Sequence, residues 1–263
     1  MKITTWNVNS VRLRLPNLKR LIDEIAPDVI CLQETKVIDE LFPADDIAAM
    51  GYPHQTVHGM KGYNGVAILS NIRIVSQGTK NWCGKKDCRH VFAELENGVE
   101  VHDFYIPAGG DIPDPSENEK FAHKLDFLKK TAAWWRKQQT AAAKRVMVGD
   151  FNVAPLETDV WSHKQLLKVV SHTPEEVALL DKLQAAGPWI DAVREIIPPE
   201  ERLYSWWSYR SPDWRKNNRG RRLDHIWISA ALRPALTDAD VFSDARDWEK
   251  ASDHAPVSIT LDL

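Results

Sequence analysis

The chain has 263 residues, of which 43% are hydrophobic and 27% are charged, and its formal net charge is −3. These values are typical of a globular protein and exclude a collagen-like, low-complexity or largely disordered chain. The 34 basic residues nearly balance the 37 acidic ones, so attraction to a polyanion has to come from a local patch.

The N-terminus and the cysteines predict where the chain resides. The chain begins with MKITTWNVNS, which lacks the basic, apolar and small-residue blocks of an export signal. No apolar stretch approaches the roughly 20 residues that a membrane span needs. Cys31, Cys83 and Cys88 offer neither a disulfide framework nor the two cysteine pairs of a zinc site. We therefore expect a cytoplasmic protein with no membrane partner.

Hydrophobic periodicity and turn residues predict short strands interrupted by a few helices. In chain order, the strands are predicted at residues 2–6, 28–32, 65–70, 91–95, 99–105, 145–148, 225–229 and 257–261. Helices are predicted at residues 18–25, between Pro43 and Gly51, at 121–135, and from the capping box at Thr173 to Gly187. Hairpins with helices outside them favour a four-layer α/β sandwich, in which two mostly antiparallel sheets pack face to face between helices. No repeat or linker interrupts the chain, which predicts a single domain over residues 1–263.

Polar residues lie directly at the ends of five apolar strands. They are Asn7 and Asn9, Glu34, Asp150 and Asn152, Asp224 and His225, and Asp253 and His254. A single acid at such a place is ordinarily a turn or a cap residue. Five coincidences favour one shared cleft, because a rigid strand end can aim a short side chain. The oxygen-rich set suits a hard divalent cation, Mg²⁺ before Zn²⁺.

His254 is the histidine that this pattern selects. It stands beside Asp253, and Asp224 could orient its ring and stabilise the imidazolium. The sequence has no Gly-rich phosphate loop and no Ser or Cys in a nucleophile elbow, which disfavours covalent catalysis. A cation, a carboxylate–imidazole pair and amide side chains suit hydrolysis of a phosphoester by activated water.

Residues 210–222 (RSPDWRKNNRGRR) form a basic segment that leads directly into Asp224. Its cations are Arg210, Arg215, Lys216, Arg219, Arg221 and Arg222, and they face Asp213 as the only acid of the segment. Tryptophans and a tyrosine stand within or just before it, at Trp206, Trp207, Tyr209 and Trp214. Because cations bind phosphates and aromatic rings stack on bases or sugars, the segment predicts a salt-sensitive nucleic-acid surface.

The motifs WNVNS, LQETK, YIP, GDFN, RLDH and SDHAP occur in an order that resembles the endonuclease/exonuclease/phosphatase superfamily. KGYNGVA at 61–67 and SWWSYR at 205–210 narrow the resemblance to the exonuclease III branch of DNA-repair enzymes. The resemblance covers the chain essentially from end to end. It implies a Mg²⁺-dependent phosphodiesterase, with Mn²⁺ as a substitute.

The resemblance also implies roles for single residues. It assigns metal binding to Glu34, Asn7 and Asp253, and catalysis to Tyr105, Asp150, Asn152, Asp224 and His254. Asp150 would position or deprotonate the attacking water, and Asn152 would hold a phosphate oxygen. Tyr105 would donate to the phosphate or assist the leaving group. His254, oriented by Asp224, would stabilise the phosphorane charge. Whether Asp150 or His254 is the base, and whether one or two metals act, stays open.

The implied partner is double-stranded DNA with abasic sites or blocked 3′ ends. The candidate DNA-binding residues are Arg12, Tyr63, Asn64, Trp206, Arg210, Asn218, Arg219 and Leu223. Trp206 and Leu223 match positions that wall a pocket for an extrahelical abasic sugar, from which a normal nucleotide is excluded by size. Ala108, Asn9 and Arg221 depart from the family pattern. An amide side chain is more usual in relatives at the position of Ala108. Some relatives carry a carboxylate at the position of Asn9, and some carry an apolar or aromatic residue at the position of Arg221.

We therefore expect a monomeric, nucleoid-associated repair enzyme that incises duplex DNA 5′ to abasic sites and leaves a 3′-hydroxyl. Exonuclease activity from 3′ to 5′ and 3′-phosphatase or phosphodiesterase activity are further expectations. Two alternatives remain: the same scaffold acting on an anionic lipid head group, and an inactive scaffold that recruits partners through its tryptophans.

Overall fold

Two mixed sheets lie face to face between helices in the computed structural model, which describes residues 1–138, 142–211 and 213–263. In chain order the strands are β1 (Lys2–Asn7), β2 (Val29–Gln33), β3 (His54–His58), β4 (Val66–Ser70), β5 (Ile74–Thr79), β6 (His90–Leu95), β7 (Val99–Tyr105), β8 (Lys144–Asp150), β9 (Ile190–Asp191), β10 (Trp206–Trp207), β11 (Gly220–Arg221), β12 (Asp224–Ile228), β13 (Leu236–Val241) and β14 (Val257–Leu261). The helices are α1 (Leu15–Ile25), α2 (Ala44–Ala49), α3 (Glu119–Trp135), α4 (His163–Leu166), α5 (Pro174–Ala186), α6 (Ala192–Ile196) and α7 (Trp214–Asn217).

Each large sheet places one parallel pair of strands at its centre. The first sheet has the order β13-β14-β1-β2-β4-β3, and the second has the order β5-β6-β7-β8-β12-β9. Within them β1 and β2 are parallel, as are β7 and β8, and the other neighbours are antiparallel. The predicted α/β sandwich is therefore confirmed, with mostly antiparallel sheets. Strands β10 and β11 form a separate ribbon.

The core lies in three layers because the central strands are buried on both faces. In β2, Val29 and Cys31 pack between the sheets, whereas Ile30 and Leu32 pack on the other side in the cluster that includes α1. A second outer cluster joins α3 and α5 to the opposite sheet. Alternation of side chains along a strand accounts for this division. All five residues of β2 are buried, as its apolar sequence predicts.

The helix boundaries follow from local chemistry. Helix α1 ends at Ile25, and the next residue, Ala26, adopts a left-handed conformation immediately before Pro27. At the start of α5, the Thr173 side chain accepts from the Glu176 amide and the Glu176 side chain accepts from the Thr173 amide. These two boundaries agree with the sequence. Across the described part of the chain, no helix is both long enough and apolar enough to cross a bilayer.

Candidate active site

The ends of the central strands bring the predicted acids to one rim of the sandwich. Residues at the carboxyl ends of parallel strands lie at the same edge of a sheet, so Asn7 is paired with Gln33 and Tyr105 with Asp150. The antiparallel strand β12 begins opposite Asp150, with Asp224 as its direct partner. Pairing thus gathers the strand ends within each sheet, and a hydrogen bond from Asn7 to Asp150 joins the two sheets at this rim, as the strand-end pattern predicts.

Asn7 links two carboxylates of the site. Its amide nitrogen donates to Glu34 Oε1 at 2.9 Å and to Asp150 Oδ2 at 2.8 Å. The Tyr105 hydroxyl also donates to Glu34 Oε1 at 2.9 Å. Lys36 Nζ lies 2.7 Å from Glu34 Oε2. With its nitrogen toward both acids, Asn7 acts here as a hydrogen-bond bridge, and its oxygen, expected among the metal ligands, instead accepts from the Asn9 amide.

Several residues in and around the site, Glu34 and Asn152 among them, have a left-handed backbone, which non-glycine residues seldom adopt. Glu34 has φ 53° and Asn152 has φ 53°. The Asn152 conformation is held by two hydrogen bonds, from its amide to Asp150 Oδ1 at 2.9 Å and from its side chain to the Ile106 carbonyl at 2.9 Å. Such conformations cost roughly 1–3 kcal/mol each and persist where the surroundings impose them, commonly at functional sites.

His254 lies between two buried carboxylates. Its Nδ1 is 2.8 Å from Asp224 Oδ2, and its Nε2 is 3.7 Å from Asp150 Oδ2. The Ser205 hydroxyl donates to the same Asp224 oxygen at 2.6 Å. Burial alone disfavours the imidazolium, but Asp224 and Asp150 outweigh it and raise the pKa of His254 to about 10. The ring is therefore protonated at neutral pH.

Asp150 and Tyr105 also have perturbed pKa values. Burial raises the pKa of Asp150 to about 7, with His254 opposing and Asp224 adding to the rise. Burial, with the nearby charges of Glu34 and Asp150, raises the pKa of Tyr105 well above its ordinary value. Tyr105 therefore remains a neutral donor. Asp150 is poised to exchange a proton near neutrality, as a general base requires.

Glu34 and Asp253 remain ionised in spite of their burial. Burial raises the pKa of Glu34, but hydrogen bonds from Asn7 and Lys36 outweigh it, and the net shift is downward. Burial raises the pKa of Asp253, but the nearby charge of His254 and the hydrogen bonds that Asp253 accepts outweigh burial, so its pKa is lowered too. The donors of those hydrogen bonds are Trp206 Nε1 at 2.9 Å and Asn9 Nδ2 at 3.1 Å. Anionic oxygens of this kind are the ligands that a hard cation prefers.

The donor set fits a metal ion. Ligand atoms of Asp150, Asp224 and His254 lie within 4.8 Å of one another and could hold one. One oxygen of that cluster, Asp224 Oδ1, is buried and accepts no hydrogen bond from the described residues. The predicted ligands Glu34 and Asp253 are not members of the cluster. Because a protonated imidazole has no free lone pair for a metal, carboxylates of this rim are the groups that could ligate one.

A cleft of about 810 Å³ opens above these acids. Its floor includes Glu34, Tyr105, Asp150, Asn152, Asp253 and His254, and its walls include Ala108, Trp161, Trp206, Arg210, Arg219, Arg221 and Leu223. Four of the predicted DNA-binding residues thus lie in the same cleft as the candidate catalytic residues: Trp206, Arg210, Arg219 and Leu223. Trp207, the strand neighbour of Trp206, is buried and also borders the cleft.

Four predicted DNA contacts do not line this cleft: Arg12, Tyr63, Asn64 and Asn218. Arg12 and Tyr63 are exposed at the surface. Asn64 donates to the Asp87 carbonyl at 2.9 Å, and Asn218 accepts from Trp207 Nε1 at 3.0 Å. Local hydrogen bonding therefore accounts for both amides in this structure.

The basic segment offers fewer free cations than its sequence indicates. Arg222 is buried, and ion pairs at 2.8 Å to Asp159 and 2.7 Å to Asp191 outweigh burial and raise its pKa. Arg215 pairs at 2.6 Å with both Asp244 and Asp247. The prediction that Arg215 and Arg222 belong to the nucleic-acid surface is therefore corrected, because ion pairs within the protein already compensate their charges. Pro212 lies outside the described residues.

Sequence reasoning missed two residues that support the site. Lys36 joins Glu34 to Asn9, whose Oδ1 accepts from Lys36 Nζ at 2.5 Å. Ser205 accepts from the Leu223 and Asp224 amides, both at 3.0 Å, in addition to donating to Asp224. Lys36 is the last residue of the motif LQETK, two residues after Glu34, and Ser205 is the first residue of SWWSYR, next to Trp206. Their places in these motifs were the sequence signal that could have identified them.

Comparison with known proteins agrees with this geometry. A model of the Endonuclease/Exonuclease/phosphatase family matches residues 4–254. Exodeoxyribonuclease III of Haemophilus influenzae is 33% identical over 98% of each chain. An AP endonuclease structure from Archaeoglobus fulgidus aligns with a TM-score of 0.92 and 34% identity over the whole of both chains. A 3′ phosphatase, NExo, from Neisseria, bound to a product DNA hairpin, aligns with a TM-score of 0.91 and 32% identity over the whole of both chains.

Proposed function

The chain belongs to the Endonuclease/Exonuclease/phosphatase family, and on that premise we propose that it is a metal-dependent DNA-repair nuclease. It incises duplex DNA on the 5′ side of an abasic site, leaves a 3′-hydroxyl, and clears blocking groups or nucleotides from 3′ ends. One observation carries the proposal: a buried acid–imidazole centre lies at the floor of a cleft walled by arginines and tryptophans.

The cleft walls support a nucleic-acid substrate. Arg210 and Arg219 are exposed, make no ion pair with any residue in the described ranges, and are placed to contact phosphates. The guanidinium of Arg219 lies 4.8 Å from the centre of the Trp161 ring, which keeps a flat aromatic and a cation side by side.

The centre supports hydrolysis by water. Asp150, with a pKa of about 7, takes a proton from a water molecule as that water attacks phosphorus. His254, held as imidazolium by Asp224, stabilises the charge that develops on the phosphate oxygens. The Asn152 amide keeps one hydrogen for a phosphate oxygen, since its hydrogen bond to the Ile106 carbonyl uses only one of the two.

Glu34 and Asp253 are the residues that would hold the metal, Mg²⁺ with Mn²⁺ as a substitute. When bound, the ion supplies charge neutralisation at a phosphate oxygen. Lys36 and Asn7 fix the Glu34 carboxylate, and Trp206 fixes that of Asp253. Both acids are therefore oriented by the protein before substrate binds.

The test is a panel of end-labelled duplexes with a tetrahydrofuran abasic analogue, a 3′-phosphate, a blunt end or a recessed end, each assayed with Mg²⁺, Mn²⁺ and EDTA. Asp150→Asn should reduce incision at the analogue by about 10²–10⁴-fold, the usual contribution of a general base. Asp126→Asn, an exposed substitution on α3, is the control and should cut like the wild type. Wild-type turnover in Asp150→Asn would contradict the mechanism. If the wild-type enzyme leaves every duplex intact but cleaves a lipid phosphodiester, the proposal that its substrate is DNA is wrong.

A further inference from the structure

Two adjacent arginines at the end of the β10–β11 ribbon face opposite ways. In this antiparallel ribbon Arg221 is the direct partner of Trp206. Because neighbouring residues in extended backbone point to opposite sides, Arg222 turns inward to Asp159 and Asp191. Arg221 turns toward the cleft, and its guanidinium carbon lies 5.3 Å from the centre of the Trp206 ring.

Arg221 is a cation whose hydrogen bonds go to neutral acceptors. Its Nη1 donates to the Val170 carbonyl at 3.0 Å and to Ser171 Oγ at 2.7 Å. Its Nε is buried and donates to no acceptor among residues 1–138, 142–211 and 213–263. Within the same ranges no carboxylate lies within ion-pair distance of it. A guanidinium in this partly desolvated wall attracts an oxyanion more strongly than one in open water.

The ribbon fixes where Arg221 lies relative to the reacting phosphate. Trp206 pairs with Arg221 on one side and forms an isolated bridge with His254 on the other. The backbones of His254 and Arg221 are thus two strand spacings apart, roughly 10 Å. A group attached to a phosphate held at Asp150 and His254 therefore lies against the Trp206 ring, with its far end toward the Arg221 guanidinium.

We propose that Arg221 is a specificity-determining residue that selects a small carboxylate-bearing group, such as glycolate, over a neutral one. The group is attached to the scissile phosphate on the side opposite the departing 3′ oxygen. The proposal rests on the proposed nuclease function and concerns which of the blocked 3′ ends Arg221 favours. In the reaction, the oxygen of water bonds to phosphorus and the P–O3′ bond breaks. One proton of the water passes to O3′, and the products are a 3′-hydroxyl and phosphoglycolate.

Three otherwise identical duplexes test this selection. One ends in 3′-phosphoglycolate, one ends in 3′-(2-hydroxyethyl) phosphate, which replaces the carboxylate by a neutral hydroxymethyl group, and one carries an internal tetrahydrofuran. Wild-type enzyme should cleave the glycolate end with a kcat/KM about tenfold or more above that of the hydroxyethyl end, as a charge-assisted hydrogen bond predicts. Arg221→Met should abolish this ratio, because kcat/KM for the glycolate end falls by about tenfold more than kcat/KM for the hydroxyethyl and tetrahydrofuran substrates.

Two further variants separate charge from structure. Arg221→Lys keeps the cation but loses the guanidinium geometry, so it should retain part of the ratio. Arg233→Met removes an exposed arginine that pairs with Glu195, and it should retain all of it. Because each ratio is taken on a single enzyme preparation, it does not depend on the fraction of folded protein.

Three results overturn the inference: equal cleavage of the two ends by wild type, survival of the ratio in Arg221→Met, or a parallel loss on all three substrates. The last would mean that Arg221 holds the Ser171 loop or binds the next backbone phosphate. These outcomes differ from failure of the proposed function, in which wild-type enzyme cleaves none of the three duplexes.

Discussion

Removing the charge of Lys124 should destabilise the protein far more than removing that of another lysine on the same helix. The Lys124 and Glu176 side chains are 0% exposed and form an ion pair between α3 and α5. Lys124 Nζ also donates to the Asn152 carbonyl at 2.7 Å and to the Ala108 carbonyl at 3.3 Å. The three hydrogens of the ammonium group are thus all used.

The magnitude follows from the burial of both partners. Lys124→Met keeps most of the aliphatic stem but leaves the Glu176 carboxylate buried without its cation, which costs about 3–5 kcal/mol. At about 2–4 °C per kcal/mol for a chain of this size, the melting temperature falls by roughly 6–20 °C. The matched control is Lys130→Met, because the exposed Lys130–Asp126 pair spans 2.7 Å on the same helix. An exposed helical pair of this type contributes about 0.3–0.5 kcal/mol.

Thermal and urea unfolding, followed by circular dichroism, measure both variants. Adding Glu176→Gln to Lys124→Met removes the unpaired charge, so the double variant should lose less stability than the two single losses added together. Equal melting temperatures for Lys124→Met and Lys130→Met would refute the reasoning. So would additive losses in the double variant, since they would mean that the two buried charges do not interact.

Three further predictions concern the site and its walls. Because Asp150 must be ionised to accept a proton and has a pKa of about 7, kcat/KM should rise with pH below that value and level off above it; a flat pH–rate profile contradicts this role. Arg210→Ala combined with Arg219→Ala should flatten the plot of log binding constant against log salt by about 0.9 for each phosphate that the protein no longer neutralises, as titrations of abasic duplex at several salt concentrations will measure. Arg222→Met leaves Asp159 with Arg194 as its remaining ion-pair partner and should cost about 3–5 kcal/mol, whereas Arg219→Met should melt like the wild type.

The interior strands could be predicted from the sequence, and the edge strands could not. The predicted strands agree with β1, β2, β4, β6, β7, β8, β12 and β14 to within one or two residues. The strands that were missed in the two large sheets, β3, β5, β9 and β13, are the four edges. In β3, Thr56 alone is buried, and in β5 no residue is. An edge strand carries polar and charged residues because it has no neighbour on one side, so its hydrophobic alternation is weak.

The floor of the site was predictable for a related reason. An acidic residue directly after an apolar strand can be recognised in the sequence. Parallel pairing at the centre of each sheet then brings the ends of such strands to one rim. The walls depend instead on register, which no local pattern encodes. The letters RR at positions 221 and 222 are equivalent until the pairing of Arg221 with Trp206 decides which of the two faces the cleft. Arg222 was one of the cations of the predicted nucleic-acid surface, and in the structure it is a buried partner of Asp159.

The two buried ion-pair networks lie behind the parts of the cleft that have to stay still. Lys124 holds the backbone carbonyl of Asn152, which has a left-handed backbone and whose side chain faces the proposed phosphate. Arg222 ties the end of β11 to Asp159 and so fixes the strand on which Arg221 projects. Buried charges of this kind add little net stability by themselves, because the loss of hydration offsets the attraction. Their consequence is geometric: a strained donor and a cation of the cleft wall are held in position before DNA arrives, and less reorganisation is needed when it binds.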